Sequence, residues 1–394
     1  MMNFLKMKSS FLVILFSINL LFANEKAFYE ENFDIENGGL FLPVQIDNKE
    51  CMFLFDTGAS FVVLDKSYRY LLGEPLSLKE AQKHLGVQLS ERGIITPNGE
   101  IALELYKAIP LKLGRFQIAN RFPYILADLK PLWPLSGVEF CGVLGSSFLH
   151  QFRWDIDFEK GKVKGYIGAS PYDGKSNYTV PISWSRAFIP QLKLIMYGKE
   201  ITFDIDTGDI GSGRLDKANI AFLKQRGALI KSHQAETFTV SGSSYHEEFR
   251  LQSIRLKGYR YPGIVMQESG QNALGLAFFK RHNVVLDFPF NKLYLQYHVD
   301  YMDADEIDKS GVRLVLDNGK IKVFGIIPMA GAKIKGLEKG DEIISVNNNT
   351  DISLYQIRRL LRGKEGTKIP MVIKRDRTMY EVDIVLGKDP LSPK

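Results

Sequence analysis

Phe55-Asp56-Thr57-Gly58-Ala59-Ser60 is the stretch on which the reading of this 394-residue chain turns. The apolar run from Met52 to Phe55 predicts a buried strand, and it ends in a carboxylate, a hydroxyl and a glycine. The same arrangement returns 150 residues later at Ile205-Asp206-Thr207-Gly208. Lys49-Glu50 and Leu64-Asp65-Lys66 flank the first copy; Lys199-Glu200 and Leu215-Asp216-Lys217 flank the second, which carries one extra residue after its acid. Further on, Val143-Leu144-Gly145 leads to Phe148 and Ile156-Asp157-Phe158. Ala273-Leu274-Gly275 leads to Phe278 and Leu286-Asp287-Phe288. Glycine and aspartate are 12 residues apart in both. Four matched features in one order make an internal repeat.

The rest of the chain is placed around this repeat. Its length exceeds a single core, so about two or three domains are expected. A formal charge of +6 is dispersed, with no basic block interleaved with aromatics, which argues against nucleic acid as a partner. At the N-terminus, Lys6 and Lys8 precede an apolar run, Phe11 to Phe22, broken only by Ser17 and Asn19, and Ala23 suits a cleavage site. Residues 1–23 therefore read as a secretory signal peptide, with an uncleaved anchor as the alternative. No later stretch is long and apolar enough to span a membrane, and export to the periplasm or cell envelope, or secretion, is expected. Cys51 and Cys141 lack metal-ligand spacing. Two small buried thiols are the preferred reading; one bridge within the first half is the other.

Strand-like periodicity dominates. Val44 to Phe55 and Leu192 to Ile205 read as hairpins turning at Asp47-Asn48 and Tyr197-Gly198, and Val163 to Ile167 and Leu293 to Tyr297 as further strands. Short helices are expected at Leu78 to Leu85 and at Lys217 to Arg226, stopped by Gly227. Two β-rich lobes follow, 35–168 and 178–298, connected through Pro171 to Ser176.

With both motif pairs in order, the chain resembles the two-lobed aspartic proteases, in a bacterial form with retropepsin-like lobes. The resemblance covers about residues 35 to 298 and implies a mainly β fold of two lobes related by a pseudo-twofold axis. It implies catalysis by Asp56 and Asp206, with Thr57 and Thr207 bonding across the lobe interface. Gly58 and Gly208 would allow close approach, and Gly145 and Gly275 would let a strand pass behind each catalytic loop. Two carboxylates about 3 Å apart cannot both ionise, so they share one proton and supply the acid and the base of amide hydrolysis without metal or cofactor. A pair of surface turns is the bland alternative, and both copies following apolar strands speaks against it. Substrate cover is expected from hairpins at Ile95 to Ile101, turning at Asn98-Gly99, and Val240 to Tyr245, turning at Gly242-Ser243. Tyr245 could equally be an ordinary loop aromatic. His246-Glu247-Glu248 lacks the second histidine of a zinc-protease helix and reads as a solvated strand end; Trp154 reads as core or interface rather than binding site.

Residues 305–387 have another character. Gly325 to Ala332 leads to Gly336-Leu337-Glu338-Lys339-Gly340-Asp341-Glu342-Ile343-Ile344-Ser345-Val346-Asn347, which resembles the PDZ domains of bacterial secreted proteases. Ser353 can cap a helix from Leu354 to Arg362, stopped by Gly363, and the acidic segment Asp303 to Asp308 reads as a linker. A small α+β PDZ domain implies a C-terminal or extended peptide added to a sheet edge beside a helix.

The second copy departs from the family pattern at Asp209, where a small residue is expected, followed by Ile210-Gly211-Ser212-Gly213. A third carboxylate near the pair would raise its pKa values; turned out to solvent, toward Arg214, it would be screened by water and salt instead. Three functions stay open. One is an exported aspartic endopeptidase, working as a monomer, whose PDZ domain recruits peptide or protein substrate. The others are a catalytically weak or inactive peptide-binding relative and a structural adaptor of the envelope.

Overall fold

The computed structural model describes residues 26–34, 38–77, 79–80, 94–96, 99–101, 104–168, 172–239 and 242–392. The signal segment 1–23, most of the helix expected at Leu78 to Leu85, and Asn98 lie outside them. The chain is mainly β. The hairpin of Phe41–Ile46 and Lys49–Phe55 turns where expected, with Asp47 and Asn48 at φ 50° and 58°. That of Pro190–Met196 and Lys199–Asp206 turns at Tyr197 and Gly198, at φ 50° and 88°. Two consecutive left-handed residues give the turn whose twist matches that of its strands. Each hairpin thus delivers one motif carboxylate at the end of its second strand.

Each half then builds the same four-strand pattern inside an eight-stranded sheet. In the first half the order is Lys49–Phe55, Gly142–Leu144, Val62–Asp65, Tyr124–Ala127. In the second it is Lys199–Asp206, Ala273–Gly275, Gly213–Leu215, Val265–Glu268. The pairings run parallel, antiparallel, parallel in both. Even the register agrees: Leu144 faces Phe55 and Leu274 faces Ile205. The sequence repeat is therefore a repeat of hydrogen-bond topology.

A six-stranded sheet ties the halves together, ordered Tyr29–Asn32, Lys162–Tyr166, Arg153–Asp157, His282–Asp287, Lys292–Tyr297, Tyr178–Pro181. Its central pairing joins the two halves, Trp154 opposite Leu286 and Ile156 opposite Val284. Trp154 is fully buried, as expected, against Phe28, Phe55 and Phe152, and its indole N–H donates to the Leu149 carbonyl at 3.0 Å. Apolar side chains of both halves form one continuous core. Burial at about 25 cal/mol per Å² therefore stabilises the two halves jointly.

The C-terminal unit has its own core, including Leu314, Val323, Ile343, Ile357 and Ile373. Its sheet runs Val312–Asp317, Lys320–Ile326, Glu342–Val346, Lys368–Arg375, Thr378–Val385, Lys333–Ile334. The helix Leu354–Leu360 starts at Ser353, whose hydroxyl accepts the Gln356 N–H, while the Gln356 side chain accepts the Ser353 N–H. The acidic segment before this unit is not a free tether. Asp305 accepts the Val265 N–H at 2.7 Å and the Arg281 guanidinium at 2.6 Å. The chain end returns to the same place: Arg250, only 5% exposed, donates to the carbonyls of Gly263 and Asp305 and to Asp389.

Two expectations are corrected. Cys51 and Cys141 are joined in a disulfide across 90 residues of sequence, and each is half-buried rather than buried. The Cys141 N–H donates to the Met52 carbonyl, which sets the two cysteines side by side, a cross-strand relation invisible in their spacing. The second cover hairpin does not turn at Gly242-Ser243. Those residues open the strand Gly242–Leu251 and pair with Thr239 and Phe238 of Leu229–Thr239. His246-Glu247-Glu248 accordingly lies within a paired strand, not at its end.

Candidate active site

Each motif carboxylate sits where its strand leaves the sheet. Asp56 Oδ1 accepts the N–H groups of Gly58 and Ala59 at 2.8 and 3.1 Å, and Asp206 Oδ1 those of Gly208 and Asp209, both at 3.1 Å. These local bonds hold each carboxyl over its own turn. A Cβ added to Gly58 would lie 2.3 Å from Asp206 Oδ1, and one added to Gly208 2.3 Å from Asp56 Cγ. Only glycine lets each turn come this close to the facing acid. The two turns thus bring the carboxyl groups face to face across the interface.

The threonines fix this approach from below. The Thr57 N–H donates to Thr207 Oγ1 at 3.0 Å, and the Thr207 N–H to Thr57 Oγ1 at 3.1 Å. Each hydroxyl then donates onward across the interface, Thr57 to the Ile205 carbonyl at 2.6 Å and Thr207 to that of Phe55 at 2.7 Å. Both threonines are buried, so every one of these groups depends on the other half for its partner. Behind the turns, Gly145 and Gly275 lie against backbone. An added Cβ would meet the Phe61 carbonyl oxygen at 2.1 Å and that of Gly211 at 2.2 Å. Ser146, which the sequence reading passed over, donates to the Thr57 carbonyl at 2.6 Å; its counterpart Leu276 cannot.

Burial pushes the Asp56 carboxyl above its ordinary pKa, against the pull of the Gly58 and Ala59 amides and of Arg214. Asp206 is pushed well above, by burial first and by the charge of Asp56 second; Arg214 opposes this and Asp209 adds to it. The proton behaviour belongs to the pair. Arg214 is the group that sequence reasoning left at the margin. Its guanidinium donates to Asp206 Oδ2, and its Nε lies 3.1 Å from Asp209 Oδ2. Asp209 Oδ1 accepts the Gly211 N–H at 2.9 Å, so the side chain neither points at the pair nor turns out to solvent. A signal for Arg214 was present: its ladder position is that of Val63 in the first copy.

The carboxylates open into a cleft of about 1790 Å³. Tyr245 is on its wall and 75% exposed. His233 and Glu248 also line it, half-buried and joined at 2.8 Å. Gly242 stands at the start of the same wall strand. Gly99 opens the strand Gly99–Ile101, paired with Ile94–Thr96 in a separate two-stranded sheet. The far wall belongs to the C-terminal unit, with Val312, Leu314, Tyr355 and Arg358. Among the described residues no three His, Cys, Asp or Glu are grouped as metal ligands.

Residues 42–148 match the family model of aspartyl proteases. A search of curated proteins found no match. The matched segment holds Asp56, Thr57, Gly58 and Gly145, and it supports a protease-type function. Asp206 lies beyond it and is reached through the internal symmetry.

Proposed function

We propose that the chain is an exported aspartic endopeptidase in which Asp56 and Asp206 activate one water. The observation that carries this reading is the pair of facing carboxyls at the floor of a cleft, Asp206 buried and Asp56 half-buried, each set against the other half's glycine and backed by the other half's threonine. The ionised member takes a proton from water as the water oxygen adds to the scissile carbonyl carbon. The protonated member gives its proton to the carbonyl oxygen. Collapse of the resulting diol, with a proton passed to the amine nitrogen, breaks the C–N bond. Because the two halves share one core, a single chain completes the site. The disulfide fits an oxidising compartment outside the cytoplasm. Cleavage of a diverse peptide library by the mature protein, lost in Asp56→Asn and in Asp206→Asn, tests the reading.

The C-terminal unit reads as a PDZ domain. Its edge strand beside a helix, Val312–Asp317 next to Leu354–Leu360, would hold an extended peptide. That edge faces the cleft, which suits substrate positioning, but here it is covered by the chain itself. Arg358 donates to the Leu314 carbonyl of the strand and to the Leu135 carbonyl of the short helix Trp133–Ser136. The N–H groups of Ser310 and Gly311 are taken by Asp308. Peptide binding at this edge therefore requires the Trp133–Ser136 turn to move away.

The reading as a non-catalytic peptide binder has one observation in its favour: Arg214 occupies Asp206 Oδ2, an oxygen that would face the reacting water. Tight binding of library peptides without any turnover by the parent protein would favour it.

A further inference from the structure

The two halves superimpose as ladders, so a departure of one from the other marks something built for a purpose. Two departures fall at the acid loop. Asp209 stands where the first copy has Ala59, and Arg214 where it has Val63. Two apolar positions have become an anion and a cation, and the two touch, Nε to Oδ2 at 3.1 Å. Both line the cleft with side chains mostly buried. They bond only partly to each other: neither Arg214 Nε nor Asp209 Oδ2 has hydrogen-bonding geometry, and the guanidinium spends its Nη2 donor on Asp206. The remaining charged neighbour of Arg214 is Asp204, on the Asp206 strand, and that carboxylate is held by the Gln191 amide at 2.8 Å.

We propose that Asp209 and Arg214 are a matched pair of positioning residues that sets the proton affinity of the Asp56/Asp206 pair. Arg214 alone would hold Asp206 ionised and strip the shared proton at a lower pH. Asp209 alone would repel a second ionisation and hold the proton to a higher pH. Side by side, each offsets most of the other's field at the pair, so a guanidinium can fix the Asp206 carboxylate without removing its acid–base partner. The signs agree with the separate influences on Asp206: the cation pulls its affinity down and the anion pushes it up. An unmatched charge at this range moves a carboxyl by about 1–3 pH units. The proposal rests on Asp56 and Asp206 being the reacting pair, but its test does not depend on turnover.

The test is a carboxyl-carbon NMR titration of protein labelled at aspartate, with the pH dependence of peptide cleavage as a second readout. Arg214→Met should move the apparent pKa values of the pair up by about one unit or more, and Asp209→Asn should move them down by a similar amount. The double variant should return close to the parent, and Arg214→Lys should stay near it because the charge is kept. Asn retains the oxygen that accepts the Gly211 N–H, and native spectral dispersion reports folding in each variant. Equal shifts in the same direction, no shift in either single variant, or a double variant that fails to return would overturn the proposal. If the titrations behave as stated but no variant or parent cleaves, the matched pair stands and the peptidase reading falls.

Discussion

Thr57 and Thr207 exchange hydrogen bonds between the halves: the N–H of each donates to the hydroxyl oxygen of the other, at 3.0 and 3.1 Å. Valine at either position keeps the shape and removes the oxygen. Thr57→Val would leave the Thr207 N–H and the Ile205 carbonyl without their partners, at about 1–3 kcal/mol for each buried group. Chemical denaturation should show a loss of that order, and cleavage should fall more steeply than stability. A variant with unchanged midpoint would mean that the exchange does not hold the halves.

The disulfide gives a second expectation. Cys51 lies on the strand that leads to Asp56, and Cys141 precedes the strand Gly142–Leu144 that leads to Gly145. Closing 90 residues should be worth about 2–5 kcal/mol against the unfolded chain. Cys51→Ser with Cys141→Ser, or reduction, should lower the melting temperature by several degrees, as scanning calorimetry would register. An unchanged transition would contradict this.

His282 governs stability in acid. It is fully buried between the hydroxyls of Tyr178 and Tyr261, at 3.0 and 2.8 Å from Nε2, and burial pushes its pKa down to about 3. In the unfolded chain the ring takes a proton near pH 6.5. Between these values the unfolded state binds more protons, so stability falls as pH drops from about 6.5 toward 3, by about 1.4 kcal/mol for each unit at most. His282→Gln should flatten that slope in denaturation curves taken across the window. A slope equal to the parent's would show that other groups carry it.

What the sequence made legible was what repeats. Asp56 and Asp206, their threonines and glycines, and Gly145 and Gly275 come in copies, and a repeated pattern can be compared with itself. Hairpin turns were legible for a local reason: Asp47-Asn48 and Tyr197-Gly198 must adopt left-handed backbone, which few residues tolerate. Contacts made once, across the fold, were not. The Cys51–Cys141 bridge follows from a cross-strand backbone bond, and the Asp305 and Asp389 anchors on Arg281 and Arg250 depend on where a surface segment lands. Arg214 falls between: its charge at an apolar position of the repeat was visible, but its reach to Asp206 needed the ladder.

The covered edge of the C-terminal unit makes a further expectation. Arg358→Ala removes the donor that joins Leu135 to Leu314 and should loosen the Trp133–Ser136 turn from the edge strand. Hydrogen exchange at 133–138 should rise, and affinity for extended peptides, followed by fluorescence anisotropy, should increase at least several-fold. Faster exchange with no gain in binding would show that the edge strand is not a peptide site.

The central claim is that the Asp56/Asp206 pair does the chemistry. Its most direct measurement is the rate of cleavage of a diverse peptide library by the parent, Asp56→Asn and Asp206→Asn at matched folding, with and without a chelator. The account predicts turnover by the parent that the chelator leaves unchanged, and a loss of at least about a thousandfold in each variant, since neither acid can supply both proton transfers. An Asp206→Asn protein that still cleaves at a comparable rate, or activity that the chelator abolishes, would contradict it.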